Sequence, residues 1–159
     1  MDIGLEIKKN LGDDWIPRLY SEKVRSQRTR SYSLDIAEKE NTAEILYTLL
    51  GIELKVGNKR FACPDLATAR YLRIFGRVGS REFAVPYDIT RISVIADEME
   101  TAWQRLALVI ESETKTLSAR SRSQIRSGLL REIRAEIARS GPGGIMPEFQ
   151  QSTKRDQSI

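Results

Sequence analysis

The sequence contains no histidine and only one cysteine, Cys63, among its 159 residues. Without histidine, this chain alone cannot form a Ser-His-Asp or Cys-His catalytic site, a Cys2His2 zinc site or an HExxH metalloprotease site. With one cysteine it can form neither an internal disulfide nor the ligand set of an iron–sulfur cluster. These two absences exclude many catalytic and metal-binding classes before any motif is considered.

Long apolar runs are also absent. No stretch approaches the roughly 18 residues expected of a transmembrane helix, and residues 1–6 lack a basic segment followed by an apolar run. Apolar residues make up 40% of the chain and charged residues 30%, which is typical of a folded domain. With the lone cysteine, these features predict a cytoplasmic protein that binds no membrane, and we expect no cofactor and no metal site.

The hydrophobic spacing predicts an α+β fold, in which helices cover a small, mainly antiparallel sheet. The clearest signal is a hairpin: apolar and charged residues alternate on both sides of Gly57-Asn58, a pair suited to a tight turn. The predicted strands span 32–36, 52–56, 59–63 and 82–86. The predicted helices span 1–12, 42–50, 65–78, 92–112 and 123–139.

The helix over 42–50 is predicted from its ends. Asn41 suits an N-cap, Glu44 lies three residues later as in a capping box, and Gly51 suits the residue after a C-cap. The helix over 92–112 is predicted from a stripe of apolar residues that follows the helical period over its whole length.

Charge divides the chain into four predicted regions. Arginine and lysine are frequent on both sides of a more acidic middle part, although the whole chain carries a net charge of only +4. The predicted regions are an N-terminal helix and basic segment (1–30), an α+β core domain (31–112), a basic helical extension (113–140) and a flexible tail (141–159). The sequence leaves open whether the helical extension packs on the core or projects as an arm.

The function that we expect is a small, non-catalytic protein-interaction or regulatory module, bound to a protein partner or to itself. An apolar stripe repeats every fourth residue in the C-terminal helix, and a tryptophan lies on the stripe of 92–112. The predicted partner-binding residues are Trp103, Ile125, Leu129, Ile133 and Ile137. On this hypothesis, truncation after residue 117 leaves a folded domain that has lost its partner.

Binding of DNA or RNA is the first alternative. Arginine clusters in three zones, and guanidinium groups suit phosphate. The predicted nucleic-acid contacts are Arg25, Arg28, Arg30, Arg70, Arg73, Arg120, Arg122, Arg126, Arg131 and Arg134. However, no aromatic residue lies between 104 and 148 to stack on bases, and no known nucleic-acid-binding motif is recognisable.

A metal-dependent nuclease is the second alternative. Such enzymes place an acidic residue on one strand and Glu-x-Lys on the next, so that carboxylates hold Mg²⁺ beside a lysine. Asp35, Glu53 and Lys55 could supply that set. Glu-x-Lys also occurs at 6–8 and 113–115, as expected by chance in a charged chain, and alternating charge on a hairpin explains the triplet at 53–55. We therefore expect a protein that is not an enzyme.

Overall fold

A computed structural model of the chain describes residues 2–141. The helices are α1 (Ile3–Leu11), α2 (Ile16–Leu19), α3 (Leu66–Val78), α4 (Ile89–Thr114) and α5 (Ala119–Ser140). A 3-10 turn (Gly12–Asp14) precedes α2, and a π-helical turn (Tyr20–Val24) follows it. The strands are β1 (Thr29–Ser33), β2 (Ala43–Thr48), β3 (Gly51–Val56), β4 (Lys59–Cys63) and β5 (Glu82–Pro86). The α+β class with antiparallel strands is confirmed.

Side-chain caps mark where the long helices begin. Asp65, Asp88 and Ser118 accept hydrogen bonds from the backbone N–H groups of Thr68, Thr90 and Ser121, respectively. The predicted hairpin and the helices over 65–78 and 92–112 are confirmed. The helix predicted over 123–139 begins four residues earlier, because the Ser/Arg-rich stretch that follows the Ser118 cap forms the first turns of α5.

The strands form two sheets, whereas one was predicted. β1 pairs only with β5, and β2, β3 and β4 form a separate sheet in that order. The far edge of β5 is closed by two buried side chains: the Ala84 N–H donates to the Tyr20 hydroxyl at 2.7 Å, and the Tyr71 hydroxyl donates to the Ala84 carbonyl at 2.6 Å. The two tyrosine hydroxyls thus bond to the backbone groups with which a third strand would otherwise pair.

The prediction of a helix over 42–50 is wrong, because this segment forms β2 and the turn into β3. Ile45 faces Leu54 across the ladder, where Leu54 is fully buried against the core. The Asn41 side chain, expected as a helix cap, instead donates to the carbonyls of Ala37, Lys39 and Gly76. Pairing with β3 and packing on α3 outweigh a local preference for helix.

One hydrophobic cluster joins all parts of the described chain. It includes Ile7 of α1, Leu54 of β3, Met99 of α4 and Ile133 of α5, each fully buried. The basic segment before residue 31 contributes Tyr20 and Val24 to this core. Of the two options left open for α5, packing on the core is the one observed.

The flexible tail predicted over 141–159 lies outside the described residues, except for Gly141. Among residues 2–141, no helix is long and apolar enough to cross a membrane.

Candidate partner-binding surface

The residues predicted to bind a partner through α5 are engaged within their own chain. Leu129, Ile133 and Ile137 are buried in the core. Ile125 and Trp103 are partly buried and pack against the same cluster. The four-residue spacing therefore identified the apolar face of α5 correctly, but that face packs against the rest of this chain.

Trp103 lies close to two arginines, Arg77 of α3 and Arg126 of α5. The Arg77 guanidinium lies 5.8 Å from the centre of the Trp103 ring, and the Arg126 guanidinium lies 6.0 Å from it. Arg126 also donates to both carboxylate oxygens of Glu40 at 2.7 Å, and this pairing raises the pKa of Arg126. Arg126, on α5, thereby joins α4 to the loop before β2.

The predicted nucleic-acid contacts mostly have partners in the chain. Arg25 donates to the Ser140 carbonyl and Arg134 to the Val78 carbonyl. Burial lowers the pKa of Arg134. The remaining contacts are Arg70 with Asp97, Arg73 with Glu100, Arg126 with Glu40, and Arg28 over the Tyr87 ring.

Within residues 2–141, five of the ten predicted arginines have neither an ion pair nor a side-chain hydrogen bond: Arg28, which lies over the Tyr87 ring, and Arg30, Arg120, Arg122 and Arg131. Arg30 lies on β1, and Arg120, Arg122 and Arg131 lie on α5. Phosphate binding requires guanidinium groups that are free to leave their intramolecular partners. Half of the predicted set is therefore held by ion pairs or hydrogen bonds within the chain.

The residues of the nuclease hypothesis are divided between the two sheets. Glu53 lies on β3 and accepts from Arg60 at 3.4 Å, while Asp35 follows β1 and accepts from Lys59 at 2.8 Å. Among the described residues, no group of three or more histidine, cysteine, aspartate or glutamate side chains could hold a metal ion.

Among residues 2–141, the most exposed apolar side chains lie at the tip of the β2–β3 hairpin. The exposed fraction is 106% for Leu49, 96% for Leu50 and 72% for Tyr47. We call Tyr47, Leu49 and Leu50 together the hairpin surface. Two consecutive, fully exposed leucines in a tight turn are unusual, because such turns favour glycine, asparagine and aspartate.

The turn that carries these leucines is held by its own hydrogen bonds. The Thr48 hydroxyl donates to the Gly51 carbonyl at 2.9 Å and accepts from the Leu50 N–H at 3.2 Å. Gly51 adopts a positive φ of 126°, which glycine tolerates without a steric penalty. The two leucines are therefore presented on an ordered turn.

The hairpin surface adjoins an open strand edge. The Gly57 N–H bonds to the Thr42 carbonyl, which places Thr42 and every second residue after it in hydrogen-bonded pairs with β3. The backbone groups of Ala43, Ile45 and Tyr47 therefore point away from β3. Within residues 2–141 they bond to no other backbone group, and no residue of β2 is fully buried.

The other large exposed apolar side chains do not share these features. They are Leu5, Leu66, Tyr87, Ile89, Val94 and Leu108, with exposed fractions between 39% and 64%. Singly exposed apolar residues of this kind are normal on protein surfaces. They supply matched control positions for the hairpin surface.

Sequence reasoning missed the hairpin surface because it predicted a helix over 42–50. One signal could have revealed it. The eight residues from Ile45 to Ile52 carry no charge, in a chain of which 30% is charged.

A cleft of about 560 Å³ lies between β1, β5 and α5 and is lined by Asp35, Glu38, Arg81, Glu82 and Arg134. The Ser80 hydroxyl also lies at this cleft, but it is buried and has no hydrogen-bond partner among the described residues. Because charges of both signs line an open cleft, the arrangement selects no particular ligand.

Comparisons of the chain with protein-family models, with curated proteins and with solved structures gave no match.

Proposed function

We propose that the protein is a small, non-catalytic protein-interaction or regulatory module of the cytoplasm, and that the hairpin surface binds its protein partner. One observation carries the proposal: Leu49 and Leu50 are both fully exposed on an ordered turn. Burying one leucine side chain contributes roughly 1.5 to 3 kcal/mol. A partner that covers both leucines gains this energy, and little conformational entropy opposes it because the turn is already ordered.

A protein partner fits this surface better than a phosphate backbone. Residues 45–52 provide no positive charge, whereas nucleic-acid affinity depends on free lysine and arginine. Five of the ten predicted arginines are occupied by Glu40, Glu100, Asp97 or backbone carbonyls. The nucleic-acid alternative therefore depends on the other five, which are Arg28, Arg30, Arg120, Arg122 and Arg131.

Site-specific cross-linking tests the proposal. A photoreactive amino acid replaces Leu49 in one variant and Leu108 in another, because Leu108 is an exposed apolar residue of α4 with an exposed fraction of 64%. After irradiation in the native cell, with and without nuclease treatment, we expect a discrete adduct from position 49 alone, insensitive to nuclease.

The captured protein is then purified and its affinity measured. We expect Leu49→Ser with Leu50→Ser to weaken binding at least roughly tenfold, since this corresponds to only about 1.4 kcal/mol, and Leu108→Ser to leave it unchanged. Equal capture at both positions, an adduct that disappears with nuclease, or unchanged affinity in the double variant would each contradict the proposal.

A further inference from the structure

We infer that the partner of the hairpin surface is a second copy of this chain, paired antiparallel through β2 so that the two Ile45 residues face each other. The inference rests on the proposed function and specifies its partner. The two three-stranded sheets then form one six-stranded sheet, with β2 of each copy at the centre.

The contrast between the two edges of the sheet is the first reason. β4 carries Lys59 and Arg60 and is followed by Pro64, which are features that prevent an edge from pairing with another strand. β2 carries one charge, at Glu44, and has neither lysine nor proline. Of these two edges, β2 is the one without protection.

The backbone register is the second reason. Ala43, Ile45 and Tyr47 direct their N–H and C=O groups away from β3. With Ile45 on the two-fold axis, each Ile45 faces its counterpart, and Ala43 of each copy faces the second copy's Tyr47. All three residues then lie in hydrogen-bonded pairs. This register uses every outward-pointing residue of β2.

Side-chain size and charge fit the same register. Tyr47 is 72% exposed, and the position opposite it is occupied by the small side chain of the second copy's Ala43. Glu44 faces the second copy's Leu46, so the two Glu44 carboxylates are not directly opposed.

Proline substitution tests the pairing on the full chain. The Tyr47 N–H points outward, so Tyr47→Pro removes a donor to a second copy without removing a hydrogen bond to β3. Ala62→Pro is the matched control, because the alternation of pairs along β3 and β4 places its N–H at the outer edge of β4. Tyr47→Ala measures the loss of the ring alone.

Analytical ultracentrifugation over a range of concentrations gives the dimer dissociation constant. We expect a dimer for wild type and Ala62→Pro, and a dissociation constant at least roughly tenfold higher for Tyr47→Pro than for Tyr47→Ala, because two backbone hydrogen bonds are lost per dimer. Circular dichroism checks that each variant is folded. A monomer at every concentration, or equal dimerisation of Tyr47→Pro and Tyr47→Ala, would overturn the inference.

Disulfide trapping tests the register without proline. In a Cys63→Ser background, Glu44→Cys and Leu46→Cys are prepared separately and mixed, because positions 44 and 46 face each other at a Cα separation of about 4.5 Å in a non-hydrogen-bonded pair. We expect the mixed disulfide to form faster than either homodimeric disulfide. A statistical mixture would overturn the register.

The self-pairing and the proposed function can be contradicted independently of each other. If the chain is monomeric but position 49 still captures a different protein specifically, then the self-pairing is wrong and the proposed function stands. If neither a second copy nor another protein is captured at position 49, both are wrong.

Discussion

The hydroxyl of Tyr20 closes the edge of β5 by accepting a hydrogen bond from the buried N–H of Ala84 at 2.7 Å. The same hydroxyl donates to the Gly141 carbonyl at 2.6 Å. The Tyr20 hydroxyl therefore provides a hydrogen-bond partner both for a backbone N–H at the edge of β5 and for the backbone carbonyl that follows α5. These two groups are far apart in the sequence. Burial raises the pKa of Tyr20, so the hydroxyl remains a donor at neutral pH.

Tyr20→Phe tests this arrangement. The substitution retains the ring, which packs on Phe75 at 5.8 Å, but leaves the Ala84 N–H without a partner. We expect the free energy of unfolding to fall by about 1 to 3 kcal/mol, measured by urea denaturation. Tyr87→Phe, at an exposed position, is the control and is expected to change it by less than about 0.5 kcal/mol.

Ile133→Ala tests whether α5 belongs to the core. Ile133 is fully buried, and we expect the substitution to lower the free energy of unfolding by about 2 to 5 kcal/mol. For the same reason, truncation after residue 117 is expected to give an unfolded or aggregating protein, contrary to the expectation from the sequence. A truncated protein with a cooperative thermal transition would contradict this prediction.

Glu100 is expected to make the free energy of unfolding depend on pH in the acidic range. Burial acts to raise the pKa of its carboxyl, but hydrogen bonds from Arg73 and Arg77 outweigh burial and lower the pKa below its ordinary value. The unfolded chain therefore takes up this proton first as the pH falls. The contribution of Glu100 to stability is fully present above its ordinary pKa of 4.5, and is lost as the pH falls through the lower folded value.

Chemical denaturation between pH 7 and pH 2 checks this dependence. We expect Glu100→Gln to lower the free energy of unfolding by about 1 to 3 kcal/mol at pH 7, with a smaller difference at the acidic end. Glu111→Gln is the control at an exposed position of α4. A difference for Glu100→Gln that is independent of pH would contradict the prediction.

The pair of Arg126 and Glu40 is expected to contribute little to stability. About a third of each side chain is exposed, 34% for Arg126 and 38% for Glu40, and the coupling of exposed ion pairs is about 0.2 to 1 kcal/mol. A double-mutant cycle with Arg126→Gln and Glu40→Gln, followed by thermal denaturation at low and high salt, measures it. We expect the coupling to decrease as salt increases.

The leucines of the hairpin surface are expected to contribute nothing to the fold of the single chain. Leu49→Ser with Leu50→Ser should leave the free energy of unfolding within about 0.5 kcal/mol of wild type, measured at a concentration where the chain is monomeric. Leu54→Ser, at a fully buried position of β3, should lower it by several kcal/mol. A large decrease in the free energy of unfolding of the double variant would show that the leucines support the fold.

Local signals in the sequence were sufficient for much of the fold. The Gly57-Asn58 turn, the cap at Asp65 and the long stripe of α4 each depend on neighbouring residues. The segment 42–50 carries conflicting local signals, because Asn41, Glu44 and Gly51 resemble helix ends although the segment pairs with β3. Pairing with β3 and packing on α3 decide between the two states, and the sequence alone shows neither.

The candidate site depended still more on distant contacts. The spacing of Leu129, Ile133 and Ile137 predicted an apolar face, but the same pattern fits a core and a partner interface equally well. Arg126 was predicted to face nucleic acid, whereas it pairs with Glu40, 86 residues away. Such non-local pairings decide which surfaces remain free.

Both tryptophans of the chain contact α5, which makes this helix visible to fluorescence. The Trp15 indole N–H donates to Glu136 at 2.9 Å, and the Trp103 ring lies against Arg126. Since the chain contains only these two tryptophans, its intrinsic emission has one reporter in contact with each half of α5. Undocking of the helix can therefore be followed without a label, and Trp15→Phe or Trp103→Phe would show which end is released first.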